Sequence, residues 1–173
     1  MKRMVIVCES LTGNTAMLAE ALRSHMSAEH IRVLTPAQVD PDQFDVFFVG
    51  SWTDKGDCAA ATGALLQKLH DKSVFLFGTC GFGGSEAYFE SVYHRFADHL
   101  SDDNRVIGHF VCQGKMPESV LHRYETMKNS NPNSERWNES IENYYNALHH
   151  PNGKDLRMLC EAADAAMNAN LSE

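Results

Sequence analysis

Residues 4–15 read Met-Val-Ile-Val-Cys-Glu-Ser-Leu-Thr-Gly-Asn-Thr, and the reading of the fold starts there. The first part, Met4–Cys8, is an unbroken apolar run, the pattern of a strand buried on both faces of a parallel sheet. The second part, Glu9–Thr15, is short and polar. It passes at once into a segment where Leu18, Leu22 and Met26 recur at helical spacing. Similar strand-like runs follow at Ile31–Leu34, Val46–Gly50, Val74–Gly78 and Val106–Cys112. Helical stripes stand among them: Ala61, Leu65 and Leu69, then Phe89, Val92, Tyr93 and Phe96, then Leu156, Leu159, Cys160, Ala163 and Met167. Strand–helix alternation predicts an α/β fold, a doubly wound five-stranded parallel sheet of order 2-1-3-4-5 with helices on both faces.

The 173 residues suit one domain, 1–173, with a single sizeable core. Fifteen Lys and Arg against twenty-three Asp and Glu give a net charge of −8, which repels nucleic acid and anionic lipid. No apolar run approaches the roughly 20 residues that span a bilayer. The first strand starts close to Met1, which leaves no room for a signal peptide. Cys8, Cys58, Cys80, Cys112 and Cys160 are odd in number and form no CxxC, as expected of reduced thiols in a cytoplasmic protein. Residues 113–153 form an extra segment after the fifth strand. Within it Asn129–Glu139, with Pro132, reads as a surface loop. Trp137, Ile141, Tyr144, Tyr145 and Leu148 then fit a short amphipathic helix that caps the sheet edge or offers a partner surface.

In such sheets ligands bind beyond the carboxyl ends of the strands, where the strand order reverses. After the first strand, Ser10, Thr12, Asn14 and Thr15 supply short hydrogen-bonding side chains, and Gly13 allows a sharp turn into the helix. Unpaired amides at a helix start favour a phosphate. Capping alone needs one such residue, so the excess points to an anion held by neutral donors, for the loop has no Lys or Arg. The loop matches neither GxxxxGK[ST] nor GxGxxG. A receiver domain is disfavoured too, because Glu9 stands alone and Ser51, not Asp, follows the third strand.

After the third strand, Trp52 is placed to stack on a planar ring, while Gly56 makes a backbone rearrangement cheap. After the fourth come Thr79, Cys80, Gly81, Phe82, Gly83 and Gly84, then Tyr88. The glycines let main-chain amides approach a ligand, and Phe82 or Tyr88 offers a second ring face. Cys80 has no nearby base and reads as structural. Lys115, after the fifth strand, lies on the site's side of the sheet, facing ligand, partner or solvent. The nine histidines show no metal-ligand spacing, so no metal is expected.

Together these loops resemble those of the flavodoxin family. Ser10-Leu11-Thr12-Gly13-Asn14-Thr15 is similar to its FMN-phosphate loop, and the Trp52 and Cys80–Tyr88 loops resemble the segments that sandwich the isoalloxazine. The resemblance implies FMN as cofactor, its phosphate on Ser10, Thr12, Asn14 and Thr15 and the amides of residues 11–15. It implies Ser51, Trp52, Thr53 and Gly56 on one side of the ring, with Gly56 as hinge beside the flavin N5 edge, and the loop from Thr79 to Gly84 on the other. The tail after residue 112 is similar to that of flavodoxin-like subunits paired with anaerobic reductases, the BilS type. The implied function is single-electron transfer between redox partner proteins with basic surfaces, by a monomer or weak homodimer. Neutral phosphate binding and net −8 would put an added electron in a negative field, hence a low potential. Two alternatives are an FMN-dependent NAD(P)H or quinone reductase and a cofactor-free binding subunit.

Overall fold

The computed structural model describes residues 2–26 and 31–171. Strand β1 (Met4–Glu9) leads into α1 (Asn14–His25), followed by the two-residue β2 (Val33–Leu34) and the long β3 (Val46–Asp54). Then come β4 (Asp57–Cys58), α2 (Ala60–Leu66), β5 (Ser73–Cys80), α3 (Glu86–Ala97) and β6 (Arg105–Gln113). Helices α4 (Glu118–Ser130), α5 (Glu135–Ala147) and α6 (Gly153–Leu171) complete the chain. The parallel strands lie in the order β2-β1-β3-β5-β6, with β4 paired antiparallel to β3. Without that short addition this is the order expected from the sequence.

Both faces of the sheet are buried, which is why its strands read as continuous apolar runs. Side chains alternate across a strand. Val5 and Val7 of β1 join Phe47, Val49, Leu76, Val92 and Phe96 on the face that carries α2 and α3. Ile6 and Cys8 join Phe48, Phe75, Phe77, Leu18, Leu22 and Leu159 on the face that carries α1 and α6. In α2 the buried set is Thr62, Gly63, Leu65 and Leu66, with Leu69 just beyond, while Ala61 is exposed. No helix among the described residues is long and apolar enough to cross a membrane.

At the amino end of the sheet the Arg3 guanidinium and amide both donate to the Asp45 carboxylate, at 3.1 and 2.8 Å. These bonds hold Asp45 well below the usual carboxylate range, to about 2. A folded pKa below the unfolded one adds stability above the unfolded value, lost as pH falls through the folded one. We expect Asp45→Asn to flatten the loss of urea stability between about pH 4 and about pH 2. It should change little at pH 7, both partners being largely exposed. A wild-type acid limb in the variant would refute this.

The segment after β6 departs most from the sequence reading. Residues 118–130 are helical, and of the expected loop Asn129–Glu139 only 131–134 lie outside a helix. Polar composition misled there, since Pro132 sits in the turn of a helical hairpin. Helix α4 packs on α5, with the rings of Tyr124 and Trp137 6.1 Å apart. Helix α5 is tied to the carboxyl end of the sheet. Asn143 and Gln113 both donate to the Gly81 carbonyl, at 3.0 and 3.1 Å, and Gln113 donates to Asn143 at 2.9 Å.

Candidate functional site

Loop 10–13 ends on Gly13, whose φ of +93° is the left-handed conformation that turns β1 into α1. The Ser10 hydroxyl accepts from the amides of Gly13 and Ala16, both at 3.2 Å, and so braces the loop from within. Thr15 is fully buried, with its hydroxyl 2.8 Å from that of Thr79. It ties the start of α1 to the end of β5. Asn14, buried at 6% exposure, donates to Thr12 Oγ1 at 3.1 Å and to the Lys115 carbonyl at 2.9 Å. Its Oδ1 is buried without a partner among the described residues. A buried acceptor without a donor marks a place where a ligand can supply one.

Strand β3 ends in a hairpin. Asp54 pairs with Asp57 across a two-residue turn, Lys55 at φ +51° and Gly56 at φ +89°. Trp52 is half-buried, while Ser51 behind it donates to the Trp52 carbonyl and accepts from the Ala59 amide. Thr53 donates to the Thr79 carbonyl at 2.9 Å. Arg95 reaches across from α3 to the Lys55 carbonyl. Asp57, Cys58 and His99 gather at the foot of the hairpin, with their ligand atoms within 4.8 Å of one another. His99 Nε2 lies 3.0 Å from the Asp57 carboxylate. Burial pulls Asp57 up, but His99 and the Cys58 amide outweigh it, and its pKa lies below the ordinary value. This hydrogen bond ties β4 to the turn after α3.

In the loop after β5, Gly81 and Gly83 pack closely on other residues. A Cβ on Gly81 would meet the Met116 side chain, and one on Gly83 the Gln113 side chain. Phe82 is 47% exposed, 6.5 Å from the Tyr88 ring in an edge arrangement. Burial pushes the Tyr88 phenol up, so it stays neutral.

These loops surround one cavity of about 600 Å³. Leu11, Thr12, Asn14, Trp52, Thr53, Gly56, Thr79, Cys80, Gly81, Phe82 and Tyr88 line it. Ser10, Gly13, Thr15, Ser51, Gly83 and Gly84 do not, and stand behind or beside its wall. Of the opposite side the sequence pointed to Lys115 alone. There Gly114, Lys115, Met116 and Pro117, then Val120, Arg123 and Tyr124 of α4, roof the cavity, and Arg95 closes one end. The half-buried positions Val120, Leu121, Tyr124 and Lys128 do carry a faint helical period. The lining holds four cations, Lys55, Arg95, Lys115 and Arg123, and one carboxylate, Asp54. In a chain of net charge −8 that local balance is inverted, contrary to the neutral anion site expected from the loop alone. A second cavity of about 480 Å³ lies along β6, and of the residues expected at the site only Gly84 reaches it.

All five cysteines are free thiols. Cys80 donates to the Cys112 carbonyl at 3.6 Å, and burial pushes its thiol up to about 12. Burial raises Cys8 and Cys58 to about 12 as well, and raises Cys112 and Cys160. The thiolate is the reactive form, and Cys160 alone is not buried. A chromogenic disulfide reagent at pH 8 should therefore find one slow thiol in the native protein and all five in denaturant. Fast native labelling of Cys80 would contradict this environment.

A doubly wound sheet with a polar loop, an aromatic rim and a glycine loop around a cavity at its switch point is the architecture of the nucleotide-binding α/β proteins. The chain belongs to the flavodoxin domain family, whose model matches residues 5–164. It is 29% identical over 156 residues to the flavodoxin-like domain-containing protein BilS of Clostridioides difficile (strain CD3), covering 88% of this chain and 89% of that one. Among solved structures it resembles oxidised flavodoxin 2 from Bacillus cereus, with TM-score 0.63, 14% identity and 96% and 99% of the two chains covered. The Fusobacterium nucleatum flavodoxin bound to flavin mononucleotide shares the fold at TM-score 0.50 and 16% identity, over 68% of this chain and 80% of that one.

Proposed function

We propose that this protein binds FMN in the 600 Å³ cavity and carries single electrons between partner proteins. The observation that carries the reading is the convergence of loop 10–15, Trp52 and loop 79–88 on one cavity at the sheet's switch point. The residues present fit the cofactor. The opening amides of α1, with the Thr12 hydroxyl, receive its phosphate, while the Asn14 side-chain amide already donates to Thr12 and the Lys115 carbonyl. The orphan Asn14 Oδ1 needs a donor, and FMN brings ribityl hydroxyls. Trp52 covers one ring face, and Tyr88, Phe82 or Tyr124 is at hand for the other.

When bound, FMN supplies the one-electron chemistry. The chain orients it and excludes water. Cys80 and Gly81 offer main chain to the ring edge, and Lys55-Gly56 sits in a turn that the Arg95 bond steadies. The acidic surface steers association toward partners with basic surfaces. The test is an absorption spectrum of the purified protein with added FMN, followed by anaerobic stepwise reduction. We expect flavin bands and reduction in two one-electron stages. Failure to bind FMN would remove the reading.

One observation favours a second reading, an NAD(P)H or quinone reductase. The roof built from residues 114–124 gives the cavity a wall that a substrate could also use. Sustained NADH oxidation by the isolated protein distinguishes it from a carrier.

A further inference from the structure

We propose that Lys115 and Arg123, brought in by the segment after β6, supply the countercharge for the cofactor phosphate at loop 10–15. The proposal rests on the FMN reading and names the residues that complete its anion site. Both line the cavity, and among the described residues neither has a carboxylate partner within ion-pair distance. Of the other two lining cations, the Arg95 guanidinium is engaged on the Lys55 carbonyl, and Lys55 stands in the hairpin turn after β3 rather than in the segment bonded to Asn14.

Lys115 is fixed beside the loop by its main chain. Its carbonyl accepts from Asn14 at 2.9 Å, and its amide donates to the His150 carbonyl at 2.9 Å. Gly114 runs so close to Asn14 that a Cβ there would fall 2.7 Å from Nδ2. The Lys115 backbone is therefore held against the phosphate loop while its side chain stays exposed. Arg123 projects from the face of α4 that also carries Val120 and Tyr124 into the lining, and its guanidinium lies 5.8 Å from the Tyr124 ring centre. Asn14 gives an independent sign of a ligand at this end: buried and in the lining, it keeps an unpartnered Oδ1 that takes a donor, which a ribityl hydroxyl beside the phosphate supplies and the phosphate dianion does not.

The physical reason is charge. A phosphate dianion brought to a chain of net charge −8 meets a repulsive field that neutral donors oppose only by hydrogen bonding. Cations from a second element reverse the field locally. Charge-assisted hydrogen bonds are also stronger than neutral ones.

The experiment titrates FMN and riboflavin, which lacks the phosphate, into flavin-free protein at several salt concentrations. It compares wild type with Lys115→Gln, Arg123→Gln and the double variant. For the double variant we expect FMN affinity to fall by about 10- to 100-fold at low salt. Its salt dependence should flatten, and riboflavin affinity should stay within about twofold. Lys115→Arg and Arg123→Lys should retain most FMN affinity. Equal losses for both flavins would reduce the two residues to roof packing and overturn the proposal, as would unchanged FMN affinity. Wild-type protein that binds neither flavin would instead bring down the FMN reading, and this inference with it.

Discussion

Trp52→Ala should lose FMN affinity by about 5- to 150-fold, the equivalent of about 1–3 kcal/mol of aromatic stacking. The bound flavin should also regain fluorescence. The indole sits half-buried at the end of β3, in register with Thr79, and lines the cavity beside the hairpin turn. Among the described residues no hydrogen bond to the indole holds the main chain there. Ser51 bonds to the Trp52 carbonyl and the Ala59 amide, and Thr53 to the Thr79 carbonyl, so the loop keeps its course without the ring. Stability should therefore change little while binding falls, and Trp52→Phe should keep part of the affinity. Fluorescence titration and urea unfolding on the same samples separate the two effects. Persistent quenching at wild-type affinity would pass the ring face to Tyr88, Phe82 or Tyr124.

The largest effect on stability should come from Gly50→Ala. Gly50 lies in β3, directly across from Phe77 of β5, and the Phe77 ring lies over it. A Cβ would come within 2.1 Å of that ring, and Phe77 is itself fully buried beside Phe48 and Phe75. The ring has nowhere to retreat. We expect a loss of about 1–3 kcal/mol or more, read as a lower urea midpoint at unchanged slope. In the Gly50→Ala background, Phe77→Leu should recover part of the loss, with a coupling of at least about 0.5 kcal/mol in the double-mutant cycle. A midpoint within about 0.5 kcal/mol of wild type would contradict the packing.

The β1 run and the polar turn to α1 were readable because strands buried on both faces leave continuous apolar letters. Trp52 and the glycine loop could be placed by position alone, since ligands gather at the carboxyl ends of such strands. Helix α4 could not be read, for a physical reason. None of its thirteen residues is buried, so its inward face is written in half-buried Val120, Leu121 and Tyr124 rather than in a clean stripe. Of the lining cations only Lys115 was readable on the site's side of the sheet. Lys55, Arg95, Lys115 and Arg123 are far apart in sequence, and only the fold brings them to one wall. The glycines of loop 81–84 read as main chain open to a ligand; Gly81 does line the cavity, and Gly81 and Gly83 also press against Met116 and Gln113.

The unburied roof also sets a clock. A helix with no buried residue, packed mainly on α5 with a ring contact between Tyr124 and Trp137, should open by local unfolding more often than the sheet beneath it. Amide hydrogens of residues 118–130 should exchange with solvent early, and late once the cavity is filled. The residence time of whatever the cavity holds is then governed by how often α4 lifts, so the hairpin's sequence can be tuned for exchange without touching the loops that recognise the ligand.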